Sequence, residues 1–213
     1  MMLRFLYMPV LALCMSVATI PVAQAQSAGD PVEIVRTTTS RLFEIVNANR
    51  DEYQQNRAKL QHEIRDVLLP LIDEIYSARL ILGRSGRGIE QEKIAEFADA
   101  LSDLLIGQYA EGLLQFQSRD QVEVLPLTGE NTERMTRVKT RITMDNGQIA
   151  PVDYVFRKTD DGWQIFDVIV EGISYVATFR NQVGEQIRQQ GFDETLAKLQ
   201  KGEIDVEVKI DEQ

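Results

Sequence analysis

An α+β fold is expected, with helices first and an antiparallel sheet after them. Three observations support it. Apolar residues recur at helical spacing from about residue 30 to 117, and at two-residue spacing from about 118. Two turn signals, Asp145-Asn146-Gly147 and Asp160-Asp161-Gly162, divide the second region into consecutive hairpins. A Ser174 cap and a Gly191 stop then frame a returning helix.

The first residues are set aside before the fold is read. Met1–Arg4 is basic, Phe5–Val22 is apolar and uncharged, and Ala23-Gln24-Ala25 has the small-x-small form of a signal peptidase site. A signal peptide over 1–25, cleaved after Ala25, is therefore expected. Residues 26–213 follow as one domain. Leu11-Ala12-Leu13-Cys14 ends in cysteine, but Leu13 is large for the position before a lipidated cysteine.

Asp30-Pro31 starts the first helix, a capping carboxylate followed by proline at the first helical position. Val35, Leu42 and Val46 carry it to about Asn47. A second helix is expected from about Asp51 to Leu69, where Pro70 ends or kinks it. Helix resumes over Leu71–Leu82 and breaks at Gly83-Arg84-Ser85-Gly86-Arg87-Gly88. A long helix follows over about Ile89–Phe116, with Ile94, Phe97, Leu101, Leu104, Leu105, Tyr109, Leu113 and Phe116 on its apolar side. Strands are expected at Gln121–Leu125, Arg134–Met144, Val152–Lys158 and Trp163–Glu171. Ser174 then caps a helix to about Gln189, and Asp193 caps a short one to Leu199. Ile204, Val206, Val208 and Ile210 alternate with polar residues as a final edge strand or extended tail.

Composition narrows the function. Cys14 is the single cysteine and lies in the leader, so disulfides, thiolate chemistry and cysteine metal sites are not expected. The net charge is −10, and loss of Arg4 makes it one unit more negative. Such a chain is poorly suited to nucleic acid or to lasting adsorption on an anionic membrane.

A catalytic constellation is not found. His62 is the single histidine and sits between Gln61 and Glu63 on a polar helix face, so the usual transition-metal ligands are lacking. Gly172-Ile173-Ser174-Tyr175-Val176 lacks the second glycine of a nucleophile elbow, and Ser174 reads as a helix cap. The Gly83–Gly88 loop follows a helix, unlike a Walker loop. Arg84 and Arg87 could meet a phosphate there, or the loop could be a solvated connection. Arg137, Lys139 and Arg141 alternate on one strand face, with Arg157 across from them. That face is either solvated or a basic surface for an acidic partner.

The strand at 163–171 is apolar on both sides. Strict alternation puts Trp163, Ile165 and Ile169 on one and Phe166, Val168 and Val170 on the other. Val152, Tyr154 and Phe156 extend the apolar surface, as do Tyr175, Val176, Phe179, Val183 and Ile187 of the next helix. Such a sheet is either covered on both faces or curled around a cavity.

Several segments resemble the MlaC family, the toluene-tolerance auxiliary proteins that bind phospholipid in the periplasm. They are Leu69-Pro70 with Asp73, Ala78 and Leu80-Ile81-Leu82-Gly83; Phe97, Leu101, Tyr109 and Leu113; and Tyr154-x-Phe156-Arg157 with Gly162 through Ser174. Gly191-x-Asp193 follows in order. The chain departs after Leu82-Gly83, where the family commonly carries an aromatic residue and arginine. Here Arg84-Ser85-Gly86-Arg87 stands in that place, so a headgroup or partner role for the loop is weakly supported.

The resemblance implies a curved sheet of the nuclear-transport-factor-like kind, with helices enclosing a deep apolar lipid pocket. It implies a periplasmic shuttle that carries phospholipid as cargo, without a cofactor, metal or catalytic residue. Its partners would be an outer-membrane lipoprotein complex and an inner-membrane ABC transporter complex with its periplasmic lipid-binding subunit, and a monomer is expected. On that reading Leu82, Phe97, Leu101 and Leu105 line the pocket from the helices, Tyr154, Phe156, Phe166, Val168 and Val170 from the strands, and Ile173, Tyr175, Val176 and Phe179 from the corner and last long helix. Arg84, Arg87, Arg137, Lys139 and Arg141 are weaker candidates for headgroup or partner contact. A periplasmic enzyme or ligand-binding scaffold on the same cone-shaped fold is the alternative, and it would need an acid such as Asp153, Asp167 or Glu171 turned inward.

Overall fold

The computed structural model describes residues 29–204 except 130 and 145. Helix α1 spans Pro31–Ala48, and the Asp30 carboxylate accepts from the Val32 N–H at 3.2 Å to satisfy one of its free donors. The uninterrupted helix expected over 51–69 is two helices, α2 Arg50–Gln55 and α3 Arg57–Leu68. Asn56 divides them. Its φ of −130° is non-helical, and its side chain accepts from the Lys59 N–H, so it caps the second segment.

Pro70 does end the helical run. Leu69–Leu71 tightens to a 3₁₀ turn, Ile72 is extended, and α4 starts only at Glu74 and ends at Leu82, with Asp73 as its cap. Helix α5 covers Gln91–Tyr109 and tightens to a 3₁₀ turn over Ala110–Leu114, short of the Phe116 expected.

Five strands follow: β1 Val122–Val124, β2 Met135–Thr143, β3 Ile149–Thr159, β4 Gly162–Val170 and β5 Ile173–Ser174. They form one antiparallel sheet in sequence order. Thr159 pairs with Gly162 across Asp160-Asp161, the two-residue turn its sequence signals. A second tight turn joins β4 to β5, Val170 pairing with Ile173. Its residues, Glu171 and Gly172, both have positive φ, 51° and 83°. A right-twisted hairpin favours such a turn, and Glu171 is the one described non-glycine residue held in that region.

Ser174 accepts from the Ala177 N–H at 3.0 Å and caps α6, Tyr175–Gln190. Helix α7, Phe192–Gln200, has Gly191 as its cap residue, so Asp193 lies in the first turn rather than at the cap. Of the alternating tail only Ile204 is described, and it is buried; Val206, Val208 and Ile210 fall outside the described residues, as does the leader.

Three apolar clusters fill the interior. One joins α4, α5, α6 and α7 around Phe97, Phe179, Ile81 and Leu199. A second joins α1, α2 and α3 to the 110–114 turn around Tyr53, Leu60 and Ile64. The third places Val35 of α1 against Val138 and Phe156 of the sheet.

Helices and sheet are tied together at Asp73. Its N–H donates to the Ile165 carbonyl at 2.8 Å, and one carboxylate oxygen caps α4 through the Tyr76 N–H. The other oxygen accepts from Arg157 of β3, whose guanidinium lies 4.2 Å from the centre of the Tyr76 ring. Ser77 donates to the Phe166 carbonyl at 2.9 Å. Asp73→Ala should lower unfolding free energy by about 2–3 kcal/mol, since it removes a cap and leaves a half-buried guanidinium without its carboxylate. Asp73→Asn, which retains a capping oxygen, should lose about half as much. Urea denaturation of the two variants measures both.

Candidate functional site

Residues 152, 154 and 156 of β3 share one face of the sheet, and cross-strand pairing extends that face. Tyr154 pairs with Val138 on one side and Val168 on the other; Val152 pairs with Val170. Between Val155 and Phe156 the β3–β4 register slips by one residue: Val155 faces Asp167, but Phe156 faces Ile165. Phe166 is the extra residue of this bulge.

The bulge corrects the strict alternation expected for this strand. Trp163 and Ile165 fall on the Val168–Val170 side and join the cluster packed against α1. Phe166 does not share their face; it meets Tyr76 of α4 edge-on at 5.3 Å between ring centres. The apolar surplus of β4 thus serves two different neighbours.

Helix α1 covers the β1–β2 end of the inner face but does not seal against it. A cavity of about 90 Å³ remains. Thr39, Leu42, Phe43 and Val46 of α1 form one wall, Leu113 and Phe116 a second, and Val122, Ile142 and Tyr154 the floor. Every lining side chain is uncharged. Phe116 meets Phe43 edge-on at 6.3 Å and also borders an outer groove of about 240 Å³ with Gln115, Met144 and Asn146.

Arg50 pins this second wall. It donates to the Leu114 carbonyl and, at 2.7 Å, to the Phe116 carbonyl, so the segment after α5 is held by one cationic side chain from α2. Sequence patterning missed Arg50, Thr39 and Phe43. Phe43 is off the Val35–Leu42–Val46 stripe, and an exposed-looking aromatic beside that stripe was the available signal.

The other sequence candidates are distributed as follows. Leu82, Phe97, Leu101, Val176 and Phe179 are buried within the four-helix cluster, each at most 7% exposed. Leu105, Ile173 and Tyr175 border that cluster, half-buried. The Tyr175 ring is 5.8 Å from Tyr109, which is 38% exposed. Burial, reinforced by Tyr109, pushes the Tyr175 hydroxyl pKa well up. Phe156 is wholly buried under α1, while Val168 and Val170 are half-buried on the inner face.

The charged candidates lie elsewhere. Arg137, Lys139 and Arg141 occupy the opposite face of β2; Arg137 is 3.5 Å from Asp153 and Arg141 is 3.5 Å from Glu123. Arg157, expected among them, is drawn to Asp73. Arg84 and Arg87 are exposed at the 3₁₀ turn after α4. His62 is exposed and 3.7 Å from Asp66.

Of the three acids that an enzyme on this fold would need, two are engaged in the architecture and the third lies in an exposed turn. Asp153 faces Arg137. Asp167 accepts from the Ser174 hydroxyl at 2.6 Å and the Val176 N–H at 3.0 Å, which anchors the start of α6. Glu171 is exposed in the β4–β5 turn, and its N–H donates to the Pro151 carbonyl. Among the described residues, no group of three or more His, Cys, Asp or Glu side chains could hold a metal ion. None of the described helices is long and apolar enough to cross a membrane.

Comparison with known proteins agrees with this architecture. The family model described as "MlaC protein" matches residues 36–201. The toluene tolerance protein ttg2D of Pseudomonas putida is 25% identical over 168 residues, 78% of this chain and 77% of that protein. The intermembrane phospholipid transport system binding protein MlaC of Haemophilus influenzae is 24% identical over 177 residues, 80% of this chain and 81% of that one. The structure of a phospholipid-binding protein from Ralstonia solanacearum, solved with a phospholipid, superposes with a TM-score of 0.72. It is 21% identical and covers 82% of this chain and 97% of its own. That likeness establishes a shared fold.

Core and wall positions should respond differently to truncation. Phe97→Ala, at the centre of the helical cluster, should cost about 3–5 kcal/mol. Val168→Ala, half-buried on the inner face, should cost about 1 kcal/mol. Chemical denaturation of the purified variants compares them.

Proposed function

The chain belongs to the MlaC family, and on that premise we propose that it is a periplasmic phospholipid carrier, delivered there by a leader cleaved after Ala25. It takes lipid from one membrane complex and passes it to another, and so maintains the lipid asymmetry of the outer membrane. Its docking partners are an outer-membrane lipoprotein complex and an inner-membrane ABC transporter complex, and it acts as a monomer with lipid as cargo.

One observation carries this reading: the apolar inner face of the sheet is incompletely covered, and the gap under α1 is walled entirely by uncharged side chains. Each methylene left in water costs about 0.8 kcal/mol, so two chains of about sixteen carbons cost roughly 25 kcal/mol unsheltered. Tails are therefore held by area rather than by a fixed polar triad, which suits a site without convergent acids and bases.

At about 90 Å³ the cavity is smaller than the roughly 150 Å³ that admits one benzene ring. Loading thus requires α1 or the 110–116 segment to withdraw from the sheet. The chains then lie along Ile142, Tyr154, Val168 and Val170, with Leu105, Ile173 and Tyr175 at the helical border. Leu82, Phe97, Leu101, Val176 and Phe179 form the rigid backing of that border, and Phe156 backs the sheet side. Phe166, turned toward Tyr76, supports the wall from behind.

Denaturing extraction and mass spectrometry of the purified protein should recover phospholipid in stoichiometric amount. A protein that yields none, and accepts none from donor vesicles, would overturn the carrier reading. Val168→Glu, which sets a charge on the proposed wall, should retain a cooperative unfolding transition and lose most of its lipid; unchanged retention would remove this face from the site.

A further inference from the structure

Several hydroxyls on and around the inner face are paired within the protein. Thr140 donates to the Val152 carbonyl at 2.8 Å, Thr136 to the Asn131 side chain, and Tyr53 to Glu63 at 2.7 Å. Tyr154 departs from this pattern. It occupies the middle of the sheet, between Val138 and Val168, and lines the cavity under α1. Its hydroxyl makes no hydrogen bond among the described residues. Thr39 of α1 lines the same cavity, and among the described residues its hydroxyl makes no hydrogen bond either.

A phenol facing an apolar cavity is a donor awaiting an acceptor, because leaving it unpaired against hydrocarbon forfeits its hydration. The surroundings define that acceptor. No lining residue is charged, so an anionic phosphate would be poorly stabilised there. Methylenes offer nothing to a donor. In a diacyl glycerophospholipid the neutral acceptors next to the hydrocarbon are the ester carbonyls.

We propose that the Tyr154 hydroxyl donates to an acyl ester carbonyl of the bound phospholipid, with Thr39 as a second donor, and that this contact sets how deeply the lipid is seated. The proposal rests on the carrier reading and adds to it a preference for ester-linked chains. Burial raises the Tyr154 hydroxyl pKa, with no charged neighbour contributing, which keeps it a proton donor throughout the physiological range.

The test compares 1,2-dipalmitoyl phosphatidylglycerol with its 1,2-dihexadecyl ether analogue, identical in headgroup and chain length but without ester carbonyls. Binding to purified, lipid-stripped protein is measured for the natural chain and for Tyr154→Phe. The natural chain should bind the diester about fivefold more tightly than the diether, the value of one neutral hydrogen bond. Tyr154→Phe should bind the two within about twofold and should unfold at the same denaturant concentration as the natural chain, since it loses no internal bond. Equal binding of both lipids by the natural chain overturns the proposal, as does a diester preference that survives in Tyr154→Phe. Failure of the natural chain to bind either lipid overturns the carrier reading as well.

Discussion

The Asp73–Arg157 pair is the contact on which the arrangement of helices and sheet depends. Asp73 performs three tasks within one residue: it ends the extended Ile72 segment against β4, caps α4, and accepts the guanidinium of β3. Both partners are shielded, the Asp73 side chain 14% exposed and that of Arg157 34%. A carboxylate so placed demands its cation, and the demand is directional because the Arg157 plane is also held over Tyr76. Position α4 and the four-helix cluster follows, since α4 packs on both α5 and α6.

A second anchor works from Asp167, two residues after the Ile165 contact. Asp167 binds the Ser174 hydroxyl and the Val176 N–H, so β4 fixes where α6 begins immediately after the Glu171-Gly172 turn. The sheet is thereby held to helices on both sides of its last long strand, and the bulge at Phe166 falls between the two anchors. What stays less constrained is the β1–β3 end, covered by α1 and by a segment held through Arg50.

Much of this was legible in the residues. Asp30-Pro31, Pro70, the Asp160-Asp161 turn and the Ser174 cap each encode local geometry through a side chain or a restricted φ, and each is found where its chemistry places it. The errors share a cause. Asn56 divides a helix because its side chain offers the backbone another partner, which apolar periodicity does not register. The faces of β4 were misassigned because one extra residue reverses alternation, and the bulge is set by pairing with β3 rather than by β4 itself. Apolar character likewise cannot separate Phe97, closed on all sides, from Val168, which retains an open face.

The sequence by itself determined the succession of helices and then a meander, the turns between strands and the family resemblance, because these depend on residue type and short-range spacing. Tertiary structure alone decided that Arg157 serves Asp73 rather than a basic surface, that Phe166 turns toward Tyr76, and that Tyr154, whose hydroxyl has no partner among the described residues, lines an apolar cavity. Those outcomes depend on which distant atoms meet. A charge, a ring or a hydroxyl acquires its role from the partner that long-range packing brings to it, and that partner is not written in the neighbouring residues.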